Sequence, residues 1–157
     1  MPVGYTPGQG VNVASSVVDS QHVQRVRTYH QDESASVWTG RDIAYSTSSA
    51  SATQVAAGAG IRNICTSLTV KFCAGATAPT AINTWVGLSD GSASAAAALI
   101  WQSAISLPAT AGADNGVALS NLWLPGTANR AMGLFFVSAG GANTIQSISF
   151  SGTTIRE

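Results

Sequence analysis

The residues able to do chemistry are few, and their spacing does not assemble them into a site. Both histidines, His22 and His30, lie early in the chain, with Asp32 and Glu33 just beyond them. Imidazole and carboxylate are common metal ligands, but structural sites repeat at short, fixed spacings. His22, His30, Asp32 and Glu33 follow none of these, so they are expected to be solvated or contact side chains, and no metal or cofactor is expected. A serine nucleophile needs a general base beside it. The chain has 20 serines but no Gly-x-Ser-x-Gly elbow, and no histidine after His30. Paired carboxylates for glycoside hydrolysis would have to come from Asp19, Asp32, Glu33, Asp42, Asp90, Asp114 or Glu157. Asp90 precedes Gly91, and Asp114 precedes Asn115-Gly116, which is turn chemistry. Gly58-Ala59-Gly60 is followed by no Lys-Ser/Thr, so it is not a phosphate loop. The expectation is a protein without catalysis.

Four tryptophans, Trp38, Trp85, Trp101 and Trp123, are large enough to stack on a sugar ring. Most are expected in the core or at subunit contacts, where large aromatics dominate the energetics. Trp38 and Trp85 are the two that a carbohydrate- or receptor-binding reading would use. The two cysteines, Cys65 and Cys73, are eight residues apart. On one strand they would lie roughly 26 Å apart, against about 5.5 Å between the Cα atoms of a disulfide. Neither a bridge within the chain nor a zinc site is expected.

The elements that must hold these residues read as strands. Over residues 61–73, Ile64, Leu68, Val70 and Phe72 alternate with Asn63, Ser67, Thr69 and Lys71. Leu99, Trp101, Ser103, Ile105 and Leu107 alternate with Gln102 and Ser106 until Pro108 stops the run. Ile148 and Phe150 alternate with Ser147 and Ser149. Asp90-Gly91 and Asn115-Gly116 read as turns. Residues 95–98 have the composition of a short helix, and 11–30 fit either period, with extended structure preferred. Short strands with frequent turns predict an all-β fold: an antiparallel β-sandwich or jelly roll over residues 43–157. Residues 1–42 are expected to form an extended N-terminal arm.

Met132 to Val137 is apolar on both strand faces, which suits either a central strand or a subunit contact. Contiguous exposed apolar patches rarely persist in soluble monomers. Met132, Leu134, Phe135 and Phe136 are therefore expected at a contact between copies.

Composition narrows the partners. Only 9% of the 157 residues are charged, and the formal net charge is zero. That excludes the clustered basic footprint of a nucleic-acid-binding domain. Ala, Ser, Gly and Thr supply 77 residues, and Lys71 is the sole lysine. No apolar run approaches the roughly 20 residues of a membrane span, and Met1 to Tyr5 lacks the start of a signal peptide. Synthesis in a cytoplasm without membrane insertion is expected. Seven of the fourteen charges fall within residues 1–42. Arg25, Arg27, Asp32, Glu33 and Arg41 are the expected partner-binding residues, because charge gives a docking site its orientation and specificity.

Certain segments resemble a known family. ATQVAAGAGIRNICTSLTVKF, residues 52–72, is similar to the start of the β-sandwich domain in small structural proteins of tailed bacteriophages. Val11-Asn12-Val13-Ala14, then Asp19 and His22 to Arg27, resembles the segment that often precedes that domain. NTWVGLSDG (83–91) followed by ALIW (98–101) is similar to its strand, Asp-Gly, strand step. Two departures are the Ser20 after Asp19, where the family has Gly, and a long Ala-rich stretch at 92–98. The resemblance implies a virion protein, commonly a homotrimer, that decorates the head as a capsid decoration (cement) protein bound to the major capsid protein. A tail-fibre or baseplate component is the related alternative.

Overall fold

A computed structural model describes residues 36–91 and 98–156 of the chain. Its strands are β1 (Val37–Tyr45), β2 (Ser51–Gln54), β3 (Ile61–Ala74), β4 (Ile82–Ser89), β5 (Leu99–Leu107), β6 (Asp114–Leu119), β7 (Leu124–Pro125), β8 (Met132–Phe136) and β9 (Thr144–Arg156). They form two sheets, with every pairing antiparallel. One sheet runs β1-β9-β3-β6, with β7 beside β3 beyond β6; the other runs β2-β8-β4-β5. Leu68, Val70, Phe72, Ile148 and Phe150 of the first pack with Val86, Leu88, Ile105, Leu107, Met132, Leu134 and Phe136 of the second. The fold is the expected antiparallel β-sandwich.

The first strand corrects the expected boundary. It begins at Val37, so the division at 42/43 falls inside β1. Alternation is the cause: Trp38 and Ala44 are buried while Val37, Ile43 and Tyr45 are exposed, a strand pattern that the neighbouring charges Arg41 and Asp42 conceal. Residues 11–30, read above as extended, and 95–97 of the helix-prone stretch 95–98 lie outside the described residues.

A bulge changes the expected faces of β3. Cys65 pairs with Gly152 and Ser67 with Ser151, which leaves Thr66 over. An extra residue reverses the phase of alternation. Cys65 therefore joins the core with Leu68, Val70 and Phe72, while Ile64 stands on the opposite face from them and is still fully buried. Cys65 and Cys73 lie on one strand, as expected, and both are free. Burial pushes the Cys65 thiol up from 9.0 to about 11; Cys73 is half-buried on the other face. At pH 8 a maleimide should label Cys73 in the native protein and Cys65 only after denaturation. A folded-state value above the unfolded one means stability from this group is complete below pH 9 and is lost as pH rises towards about 11. Equal labelling of both thiols without denaturant would contradict the burial.

Two turn expectations resolve differently. Asp90 is a turn residue: Oδ1 accepts the Thr127 N–H at 2.9 Å and Oδ2 accepts the Thr127 hydroxyl. The carboxylate thereby ties the turn after β4 to the loop between β7 and β8. Asp90→Ala should lower stability by about 1 kcal/mol, since hydrogen bonds to charged groups are the stronger ones and this pair is partly solvated. A urea midpoint unchanged from the parent would count against that tie. Asn115-Gly116, in contrast, lies within β6 rather than in a turn. Asn115 is held in extended structure because its Nδ2 donates to the Ser106 carbonyl at 2.9 Å and its Oδ1 accepts the Gly116 N–H at 2.8 Å.

Candidate interaction surface

The outward face of the five-stranded sheet follows from register. Gln146, Ile148 and Phe150 point inward, so Ser147, Ser149, Ser151 and Thr153 of β9 point outward. Thr39, Arg41 and Ile43 of β1 flank them on one side. Ser67, Thr69 and Lys71 of β3 flank them on the other. Ser67 and Ser151 share a hydrogen bond of 2.7 Å between their hydroxyls. The centre of the face is therefore a field of short hydroxyl side chains.

Its margin is different. Val37 is 82% exposed, Ile43 55% and Tyr45 62%, all on the same outward side of β1. Arg41 stands between them and is exposed too. Single exposed apolar residues are ordinary, but three at alternate positions of an edge strand form a stripe suited to contact. What the arrangement offers is shape, apolar contact and the cations Arg41 and Lys71.

The expected site residues divide as follows. Arg25, Arg27, Asp32 and Glu33 lie outside the described residues; Arg41 is placed on the outward face. Met132, Leu134, Phe135 and Phe136 are all buried within the chain, which removes the reason for placing them between copies. β8 is the central strand that was the other reading of this run, lying between β2 and β4. Phe135 has its ring on the outer side of that sheet, above Gly87, where a Cβ would meet the Phe135 ring at 3.3 Å. A strand apolar on both faces thus finds cover at a glycine rather than in a partner.

Trp38 is a correction of the same kind. It is buried against Phe150, ring centroids 5.1 Å apart at 66°, and offers no face to a sugar. Trp85 is half-buried on the outer side of β4, on the sheet opposite Arg41. Trp123, 63% exposed, is the open aromatic. Val37, Ile43 and Tyr45 were missed because attention went to charge. Their signal was alternation with Trp38 and Ala44. Among the described residues no three His, Cys, Asp or Glu side chains come together.

No family model matches the chain, and no curated protein matches it. A solved structure described as an arabinose-bound α-L-arabinofuranosidase (MgGH51) aligns with 69% of this chain at 16% identity and a TM-score of 0.40. The alignment covers 18% of that enzyme, so the chain spans less than a fifth of its length. A likeness at this level carries no argument about fold or activity.

Proposed function

We propose that this chain is a structural protein of a tailed-bacteriophage particle: a non-enzymatic decoration protein that binds the outside of the head shell in three-copy units and stabilises it. The observation that carries the reading is the outward face of the five-stranded sheet. Short hydroxyls bordered by Val37, Ile43 and Tyr45 lose little side-chain entropy when covered, unlike a surface of Lys and Glu. Such a face suits a permanent, close contact. The segments that resemble the phage family occupy successive strands, residues 52–72 on β2 and β3, 83–91 on β4 and the turn after it, and 98–101 at the start of β5. Arg25, Arg27, Asp32 and Glu33 are the charges proposed to orient the docking on the major capsid protein.

Labelling purified virions with an antibody to this protein tests the reading. Label in many copies over the head is the expected result, and label confined to the tail would transfer the protein to a fibre or baseplate. Deleting residues 1–30 should leave the sandwich folded and abolish binding to heads that lack the protein. Undiminished binding would remove Arg25 and Arg27 from the docking role.

A further inference from the structure

Among the described residues neither edge of the five-stranded sheet is paired, β1 directs Arg41 outward and β6 Asp114, and we infer that β6 of one copy pairs with β1 of the next, Asp114 against Arg41. The inference rests on the self-association proposed above and specifies its geometry.

Backbone parity comes first. The Thr154 N–H donates to the Ser36 carbonyl at 3.2 Å and the Ser46 N–H to the Thr144 carbonyl at 3.0 Å. Even-numbered residues of β1 therefore direct their groups to β9, and Val37, Thr39, Arg41 and Ile43 direct theirs away, as alternate residues of an antiparallel pair must. At the other edge the Ala74 N–H donates to the Ala113 carbonyl at 2.7 Å. By the same alternation the odd residues of β6 bond β3, leaving Asp114, Gly116 and Ala118 facing outward. Among the described residues no strand pairs with either edge.

Direction and side chains agree with the pairing. Strands alternate in direction across β1-β9-β3-β6, so β6 of a copy in the same orientation runs antiparallel to β1. On both edges the residues with outward backbone groups also carry their side chains on the outward face of the sheet. Setting Arg41 opposite Asp114 places Thr39 opposite Gly116 and Val37 opposite Ala118. A larger side chain meets a small one at each of these positions, and an opposite-charge pair directly across the strands is favourable. Arg41 and Asp114 are both exposed. The Gly116 N–H is held by its own Asn115 Oδ1 at 2.8 Å, so the new ladder would depend chiefly on Asp114 and Ala118. The competing two-fold arrangement, β1 against β1, leaves Asp114 out of the contact, and in the register centred on Arg41 it sets like charges together. A single charge on an apolar edge strand ordinarily blocks pairing; here the opposite edge of the same sheet supplies the matching charge. The contact is head-to-tail, so it either closes into a ring or continues as a filament, and three-copy units require the ring.

Sedimentation velocity of the full chain over a micromolar concentration series tests the pairing. Arg41→Asp and Asp114→Arg should each weaken association by at least about tenfold, because each sets like charges across the strands. The double variant should recover it. Loss of association by Asp114→Arg is what a two-fold β1 contact cannot produce, since that contact leaves β6 out. An equimolar mixture of the two single variants should associate beyond either alone but short of the parent, because a mixed three-copy ring keeps one like-charge contact. Circular dichroism matching the parent's keeps loss of folding from imitating the effect. A double variant no better than the singles, or association indifferent to both charges, overturns the pairing and leaves the virion reading standing. A parent that stays monomeric overturns both the pairing and the three-copy unit, while virion labelling still decides the particle role by itself.

Discussion

Phe150→Ala is expected to remove about 4 kcal/mol of folding free energy, the middle of the range for deleting a buried ring. Phe150 lies near the middle of β9 and is fully buried. Its ring meets Trp38 edge to face and covers Gly40, where a Cβ would run into the ring itself. Truncation removes the transfer term and opens a cavity that Trp38, fixed on β1, has little freedom to fill. The lost edge-to-face contact adds to both. Urea unfolding should show a midpoint lower by about 2 M for an m-value near 2 kcal/mol/M. Trp38→Phe is the informative companion. Trp38 Nε1 is buried with no hydrogen-bond partner, so that exchange removes an unpaired donor along with some area and should cost clearly less. A loss below about 1 kcal/mol for Phe150→Ala would mean that the ring is not the keystone of this end of the core.

Gly152→Ala is the second large effect, and it acts by crowding rather than by a void. A Cβ at Gly152 would overlap the Ile64 carbonyl and the Trp38 ring. The carbonyl belongs to the neighbouring strand beside the bulge at Thr66 and has nowhere to retreat without breaking the ladder. Overpacking of this kind costs about 3 kcal/mol. Thermal unfolding should show a large fall in midpoint, and Gly152→Val should fail to yield folded protein. A near-neutral Gly152→Ala would show that β3 and β9 can separate locally at the bulge.

The two effects explain why the sequence was legible in some places and opaque in others. Alternation around Ile148 and Phe150, and from Trp101 to Leu107, reports one buried face and stands as read, whereas Leu99 lies across a second bulge at Ile100 and sits over Gly87 on the outer side. β3 obeys the same rule on each side of Thr66, but one inserted residue turns Ile64 to the other face. Nothing local distinguishes Thr66 from its neighbours, because the bulge is set by Gly152 and Ser151 across the ladder. Phe135 was misjudged for a related reason. Its cover depends on Gly87, a residue on another strand with no side chain of its own. The hydroxyl-rich outward face was legible in composition, as abundant Ser and Thr, but not in position. Which hydroxyls share a face is fixed only when β1, β9 and β3 come into register.

The place of β9 in that register has a consequence for how the protein is made. The strand nearest the end of the chain, Thr144–Arg156, lies between β1 and β3 and holds both. β1 finds no other strand partner among the described residues, and β3 has only the short β6 and β7 on its far side. Almost every pairing in that sheet therefore joins residues far apart along the chain, the arrangement that folds slowly. During synthesis at about 5–20 residues per second, β3 is translated several seconds before β9, the strand that pairs beside it. Until β9 is made, β1 and β3 carry no ladder that joins them. A ribosome stalled short of Ile148 would hold not a smaller sandwich but an open sheet edge beside exposed apolar side chains.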